Sequence, residues 1–109
     1  MSSEIKHLND EIFDAEISEG FTLVDFYADW CGPCRMMVPV LEEFAKEKKG
    51  EISVGKLDIE SAQETTKNFN INSVPTLILF HKGREIERIV GVKDLASLNS
   101  IVGQAVSKA

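Results

Sequence analysis

The chain has 109 residues, 43% of them hydrophobic, enough for one small core with little left for a second, so residues 1–109 are expected to form a single domain. Its 12 Lys and Arg stand against 18 Asp and Glu, a formal charge of −6 that argues against a nucleic-acid backbone as partner. No segment approaches membrane-spanning length, and the start Met1-Ser2-Ser3-Glu4-Ile5-Lys6 lacks a basic patch followed by an apolar run; a cytoplasmic protein with no membrane partner is expected.

Taken in chain order, Glu4 to Leu8 reads as a short strand. Asn9 then caps a helix over Asp10 to Ser18, with acids in its first turn and Ile12, Phe13 and Ile17 on its buried face. His7 is read as a partly exposed strand residue without a role. Phe21 to Tyr27 is a near-continuous apolar run rich in β-formers, the pattern of a strand covered on both faces. Asp25 is its anomaly. Alternation places it on one face with Leu23 and Tyr27, so a carboxyl enters an otherwise largely apolar layer. Two readings stand: a buried Asp satisfied by a hydroxyl or backbone N–H, or a desolvated carboxyl with a raised pKa that exchanges a proton, through water, with a neighbouring thiol.

That thiol belongs to Ala28-Asp29-Trp30-Cys31-Gly32-Pro33-Cys34-Arg35, which holds both cysteines. A helix follows from about Pro33 to Lys49, with Gly50 as its stop and Met37, Val40, Leu41 and Phe44 on one face. Pro33 suits the first turn, whereas Pro39, inside the helix, is expected to kink it. Cys31 therefore sits at a helix amino end, where unpaired N–H groups and the dipole favour a thiolate, and is expected to be the nucleophile. Cys34, one turn on, should face the same side and be less exposed. The pair can close a disulfide with little backbone movement, and Cys34 can resolve a mixed disulfide formed at Cys31. In a reducing compartment such a pair reads as catalytic more than structural. Met36, beside the motif, reads equally as packing or as contact surface. Lys46-Glu47-Lys48-Lys49 reads as a solvated helix end.

Ile52 to Ile59 reads as a strand. Ser61 and Glu64 offer a capping box for a short third helix, which Asn70 stops in a left-handed conformation. Thr76 to Phe80 is a further buried strand preceded by Val74-Pro75. His81-Lys82-Gly83 then turns into Glu85 to Val90 as an antiparallel hairpin, with His81 expected to be solvent-exposed. Gly91 ends the hairpin, and Asp94 caps a last helix with Leu95, Leu98, Ile101, Val102 and Ala105 on its apolar face. The order is β-α-β-α-β-α-β-β-α, an α/β chain with three early parallel strands and an antiparallel closing hairpin.

Trp30-Cys31-Gly32-Pro33-Cys34, with Val24-Asp25-Phe26, Pro39, Lys56-Leu57-Asp58, Val74-Pro75-Thr76 and Gly91, resembles the thioredoxin family over essentially the whole chain. The resemblance implies the thioredoxin fold, a central five-stranded mixed sheet of order 1-3-2-4-5 flanked by four helices. It also implies a general protein-disulfide reductase that donates electrons to disulfide-containing proteins. It favours the proton-transfer reading of Asp25, tuned by Lys56, and a cis bond before Pro75, where X–Pro bonds are otherwise mostly trans. Trp30, Gly32, Pro33, Val74, Pro75, Gly91 and Val92 would form the docking surface for substrate. Val74 would lend it backbone groups in strand-like recognition. Gly91 has an ordinary turn explanation as well as this one.

The expected electron donor is a flavoprotein thioredoxin reductase drawing on NADPH. The chain carries no glycine-rich dinucleotide fingerprint, so no bound cofactor is expected beyond the redox-active Cys31–Cys34 disulfide, and the family usually works as a monomer. Gly32-Pro33 points to the reducing end of the family, whose characteristic potential is about −270 mV. Tyr27 departs from a common tryptophan, which should alter packing more than chemistry, and Arg35 from a common lysine, which keeps the charge and should affect Cys31 only modestly. Two rival readings are a zinc site using Cys31, Cys34, His7 and His81, disfavoured by spacing, and a binding or holdase module with an incidental dithiol.

Overall fold

A computed structural model describes residues 4–109; Met1, Ser2 and Ser3 of the start read above lie outside the described residues. Five strands, β1 (Ile5–Leu8), β2 (Phe21–Tyr27), β3 (Ile52–Asp58), β4 (Thr76–His81) and β5 (Arg84–Val90), form one sheet in the order β1-β3-β2-β4-β5. β1 and β2 both run parallel to β3, and β4 runs antiparallel to β2 and β5. The parallel pairs need crossovers, which helices supply. These are α1 (Phe13–Glu16) and α2 (Gly32–Glu47); α3 (Gln63–Asn68) leads from β3 into the antiparallel β4, and α4 (Leu95–Lys108) closes the chain.

Alternation along the strands divides the core into two layers. On one face Leu23, Val54, Leu77 and Leu79 pack against Met37, Leu41 and Phe44 of α2 and Leu98 and Val102 of α4. On the other, Val24, Phe26, Leu57, Ile78 and Phe80 meet Phe13 and Ile17. There the rings of Phe13, Phe26, Phe69 and Phe80 contact one another in tilted and edge-on pairs, with centroids 5.3–6.4 Å apart. β2 is central, so its carboxyl end, where the cysteine motif begins, is held by neighbours on both sides.

The hairpin turns on Lys82 (φ +52°) and Gly83 (φ +84°), two consecutive left-handed residues of the kind a two-residue hairpin loop requires. His81 is not the exposed turn residue expected. It is the last residue of β4, partly buried, with its ring stacked on Phe21 at a 4.2 Å centroid separation.

Two helix starts differ from expectation for one shared reason. The helix expected over Asp10 to Ser18 shrinks to the four residues of α1. Asn9 still accepts the Ile12 N–H (3.0 Å), but Asp10 turns away to serve another element. Its carboxylate accepts from the Thr65 N–H (2.9 Å), the Thr65 hydroxyl (2.6 Å) and the Glu64 N–H (3.3 Å) at the start of α3. The Ser61–Glu64 capping box does not form, because the residue at the cap position is Ala62, which has no side-chain acceptor, and Ser61 instead donates to the Asp58 carbonyl (3.4 Å). α4 behaves as read: Asp94 accepts the Ser97 N–H at 2.8 Å.

The bonds from the Thr65 hydroxyl and backbone hold the Asp10 carboxyl below its ordinary 3.8. That stabilisation is present above pH 3.8 and is lost as pH falls through the lower folded value. Asp10→Ala should lower Tm by about 5 °C at neutral pH, and the gap between parent and variant should close in acid, as thermal melts over a pH series would show.

Candidate active site

The site is built where β2 ends and α2 begins. After Tyr27 the chain makes a tight turn, with the Cys31 N–H donating to the Ala28 carbonyl at 3.1 Å, and Cys31 becomes the N-cap of α2. Its Sγ accepts the Cys34 N–H at 3.1 Å, the capping bond that Ser or Asp makes elsewhere. Gly32 and Pro33 fill the first helical positions, so the proline's missing N–H leaves no intrahelical bond broken. Cys31 and Cys34 are joined as a disulfide, with Cα atoms 5.3 Å apart. The structure does not bring the four residues of the zinc reading together. His81 lies at the opposite end of β2, and among the described residues no group of three or more His, Cys, Asp or Glu is placed to hold a metal.

The difference in exposure expected between the two cysteines is absent, at 4% for Cys31 and 3% for Cys34. Their surroundings differ instead. The Cys31 sulfur sits at the helix amino end and 3.7 Å from the Val74 carbonyl oxygen. Cys34 lines a cavity of about 140 Å³ together with Asp25, Tyr27, Arg35, Val38 and Lys56.

Asp25 is 3% exposed, and its Oδ1 has no hydrogen-bond partner, so the reading of a satisfied structural carboxyl does not describe this oxygen. Burial pushes its pKa up to about 7, with the charge of Lys56 opposing the rise. Lys56 stands directly opposite Asp25 in the β2–β3 register. Asp25 shares the cavity with Cys34, which is large enough for water to bridge the two.

On the second side of the motif, the Val74–Pro75 bond is cis, Thr76 donates its hydroxyl to the Ser73 carbonyl (2.7 Å), and the Gly91 N–H donates to the Pro75 carbonyl (2.9 Å). Gly91 has φ +94°, and a Cβ there would meet only the Lys93 ammonium at 3.9 Å. Backbone conformation, not local crowding, is therefore what demands glycine at this corner. Of the expected docking residues, Trp30 (64%) and Val92 are exposed and Val74 is half-buried, but Pro75 is buried. Met36 is exposed, which favours the contact-surface reading over packing.

One neighbour of the motif, Glu60, went unread in the sequence. The Trp30 indole N–H donates to Glu60 Oε2 at 2.7 Å, steadying an otherwise exposed ring. Parallel pairing of β2 with β3 brings both carboxyl ends together, the Ile59 N–H donating to the Tyr27 carbonyl (2.9 Å), and that was the available signal for Glu60. Arg35 is tied to the Asp29 carbonyl (2.7 Å) on the exposed side.

The family model described as Thioredoxin matches residues 4–104. A protein of Chlamydia pneumoniae named Thioredoxin is 41% identical over 100 residues, 92% of this chain and 97% of its own. One of that name from Mycobacterium tuberculosis (strain ATCC 25618 / H37Rv) is 54% identical over 76 residues, 70% of this chain and 66% of its own. Another, from Listeria monocytogenes, is 38% identical over 102 residues, 94% of this chain and 99% of its own.

The raised Asp25 pKa has a thermodynamic sign. Between pH 3.8 and about 7 the folded state holds a proton that the unfolded state releases, so this group's contribution is full below 3.8 and is lost as pH rises through 7. Asp25→Asn should remove that slope. Its stability relative to the parent should grow by about 3–4 kcal/mol between pH 4 and pH 8, measured by denaturant unfolding of the oxidised proteins.

Proposed function

Because the chain belongs to the thioredoxin family and is a dithiol–disulfide reductase, we propose a mechanism in which Cys31 attacks and Cys34 resolves. The observation that carries it is the Cys31 sulfur at the cap of α2, accepting the Cys34 N–H where a thiolate is stabilised. In the reduced protein the Cys31 thiolate attacks one sulfur of a substrate disulfide, forming a mixed disulfide and expelling the other sulfur as a thiolate. The Cys34 thiol gives its proton to Asp25 through cavity water and attacks the Cys31 sulfur. The second substrate thiolate leaves, and Cys31–Cys34 closes. Two electrons pass to the substrate; one released thiolate takes the proton held by Asp25 and the other takes a proton from solvent, so both end as thiols.

Asp25 suits the proton step because a carboxyl titrating near 7 takes and returns a proton at neutral pH, with Lys56 as its opposing charge. Trp30, Gly32, Pro33, Val74, Gly91 and Val92 serve as the docking surface. The Val74 carbonyl, already beside the Cys31 sulfur, lies where an extended segment would place its disulfide. Buried Pro75 shapes that surface through its backbone. Residues 1–109 act as one monomeric domain in the cytoplasm, reduced by an NADPH-linked flavoprotein thioredoxin reductase. No helix of the described residues is long and apolar enough to cross a membrane. The family and its cysteine pair do not favour the holdase reading.

Insulin-disulfide reduction tests the mechanism. Cys31→Ser should abolish turnover, whereas Cys34→Ser should accumulate a substrate mixed disulfide at Cys31, detectable by mass. A mixed disulfide that accumulates at Cys34 in Cys31→Ser, with none at Cys31 in Cys34→Ser, would reverse the assignment. Asp25→Asn should slow resolution at pH 7 by about tenfold or more and converge on the parent at alkaline pH, where hydroxide removes the Cys34 proton. The pair's potential should lie within about 30 mV of the family's −270 mV when equilibrated with dithiothreitol buffers.

A further inference from the structure

Tyr27 stands two residues beyond Asp25 on the same face of β2, and its ring lies under the Lys56 ammonium, 4.7 Å from the centroid. Lys56 is the cation nearest Asp25 in register, yet among the described residues no ion pair joins the two. The Asp25 Oδ1 has no partner at all. Asp25, Tyr27, Cys34 and Lys56 all line one cavity. A lysine beside a buried carboxyl is thus directed onto an aromatic face.

We propose that Tyr27 is a positioning residue whose ring holds the Lys56 ammonium off the Asp25 carboxyl, leaving that carboxyl free of an ion pair and able to carry a proton. The inference rests on the proton-transfer reading of Asp25 and concerns what sets that carrier. Burial, and then the negative charges of Asp58, Asp29 and Asp25, push the Tyr27 phenol above its ordinary 10.0, so the side chain is neutral in the working range and acts through its ring. The other charged groups around Asp25 do not replace Lys56. Arg35 of α2 is bound to the Asp29 carbonyl. His7 of β1 and Glu42 of α2 line an adjoining cavity of about 90 Å³ that also takes in Asp25 and Lys56. From β4 the residue opposite Asp25 is the apolar Leu77.

Without the ring, the Lys56 ammonium settles toward the carboxylate at the neighbouring register position and favours its ionised form. Carboxyl-carbon NMR titration of Asp25 in the oxidised protein, where the thiols do not titrate, reads this directly. Tyr27→Leu should lower the Asp25 midpoint by about one unit, and Tyr27→Phe should leave it in place. Lys56→Met should raise it, and adding Tyr27→Leu to Lys56→Met should then change nothing. An unmoved midpoint in Tyr27→Leu overturns the proposal. So does an equal fall in the Lys56→Met background, which would assign the effect to water entering the cavity. In the parent protein the Lys56 ε-protons should resonate upfield from the ring current; ordinary shifts would also overturn it. The titration involves no turnover, so its failure is separate from failure of the Asp25→Asn kinetics.

Discussion

An unfilled helix amino end, abutting the carboxyl end of the sheet's most enclosed strand, is the constraint from which the site follows. Four backbone N–H groups at such an end lack intrahelical acceptors. Here one of them, from Cys34, is met by the Cys31 sulfur. The group that satisfies the helix is therefore the nucleophile of the proposed mechanism, and its charged form satisfies the helix best. Gly32 and Pro33 keep the first turn helical without adding a bulky side chain over the sulfur. The core layers beneath fix α2 through Met37, Leu41 and Phe44, so the cap cannot drift relative to β2.

The surroundings act in opposite senses on the two acids of the proposed mechanism. At Cys31 the helix end favours the anion. At Asp25, two residues from the end of a strand with neighbours on both sides, burial favours the neutral acid. These are the properties the proposed mechanism asks of a nucleophile and of a proton carrier, although both groups lie in the same small region. The contrast arises from backbone dipoles in one case and loss of water in the other.

Most of the architecture was legible because it rests on short-range rules. β2 is a continuous apolar run, α4 has an Asp cap and an apolar stripe, and Lys82-Gly83 supplies the left-handed turn. The anomaly at Asp25 was visible because alternation alone puts it in the core. What escaped reading is long-range. Asp10 looked like a first-turn acid for its own helix and instead caps another element 54–55 residues away. His81 looked like a turn residue because its stacking partner, Phe21, is at the far side of the chain. The cysteines looked unequal in exposure, yet their enclosure is alike, since the Val74–Pro75 loop covers Cys31 from a distant segment. Tyr27 looked like a packing substitution because the lysine above it arrives on β3.

The tie between Asp10 and the start of α3 also bears on the order in which the chain assembles. A six-residue helix with Thr65, Thr66 and Asn68 in its span has neither the length nor the composition to persist alone. Its amino end is completed only when the segment after β1 has been brought across a loop of more than fifty residues, a closure whose entropy must be met by other contacts first. β1 itself pairs only with β3 at one edge of the sheet. The aminoterminal strand and the third helix are thereby coupled as a mutually dependent margin of the molecule, each completed by a segment distant from it in the chain.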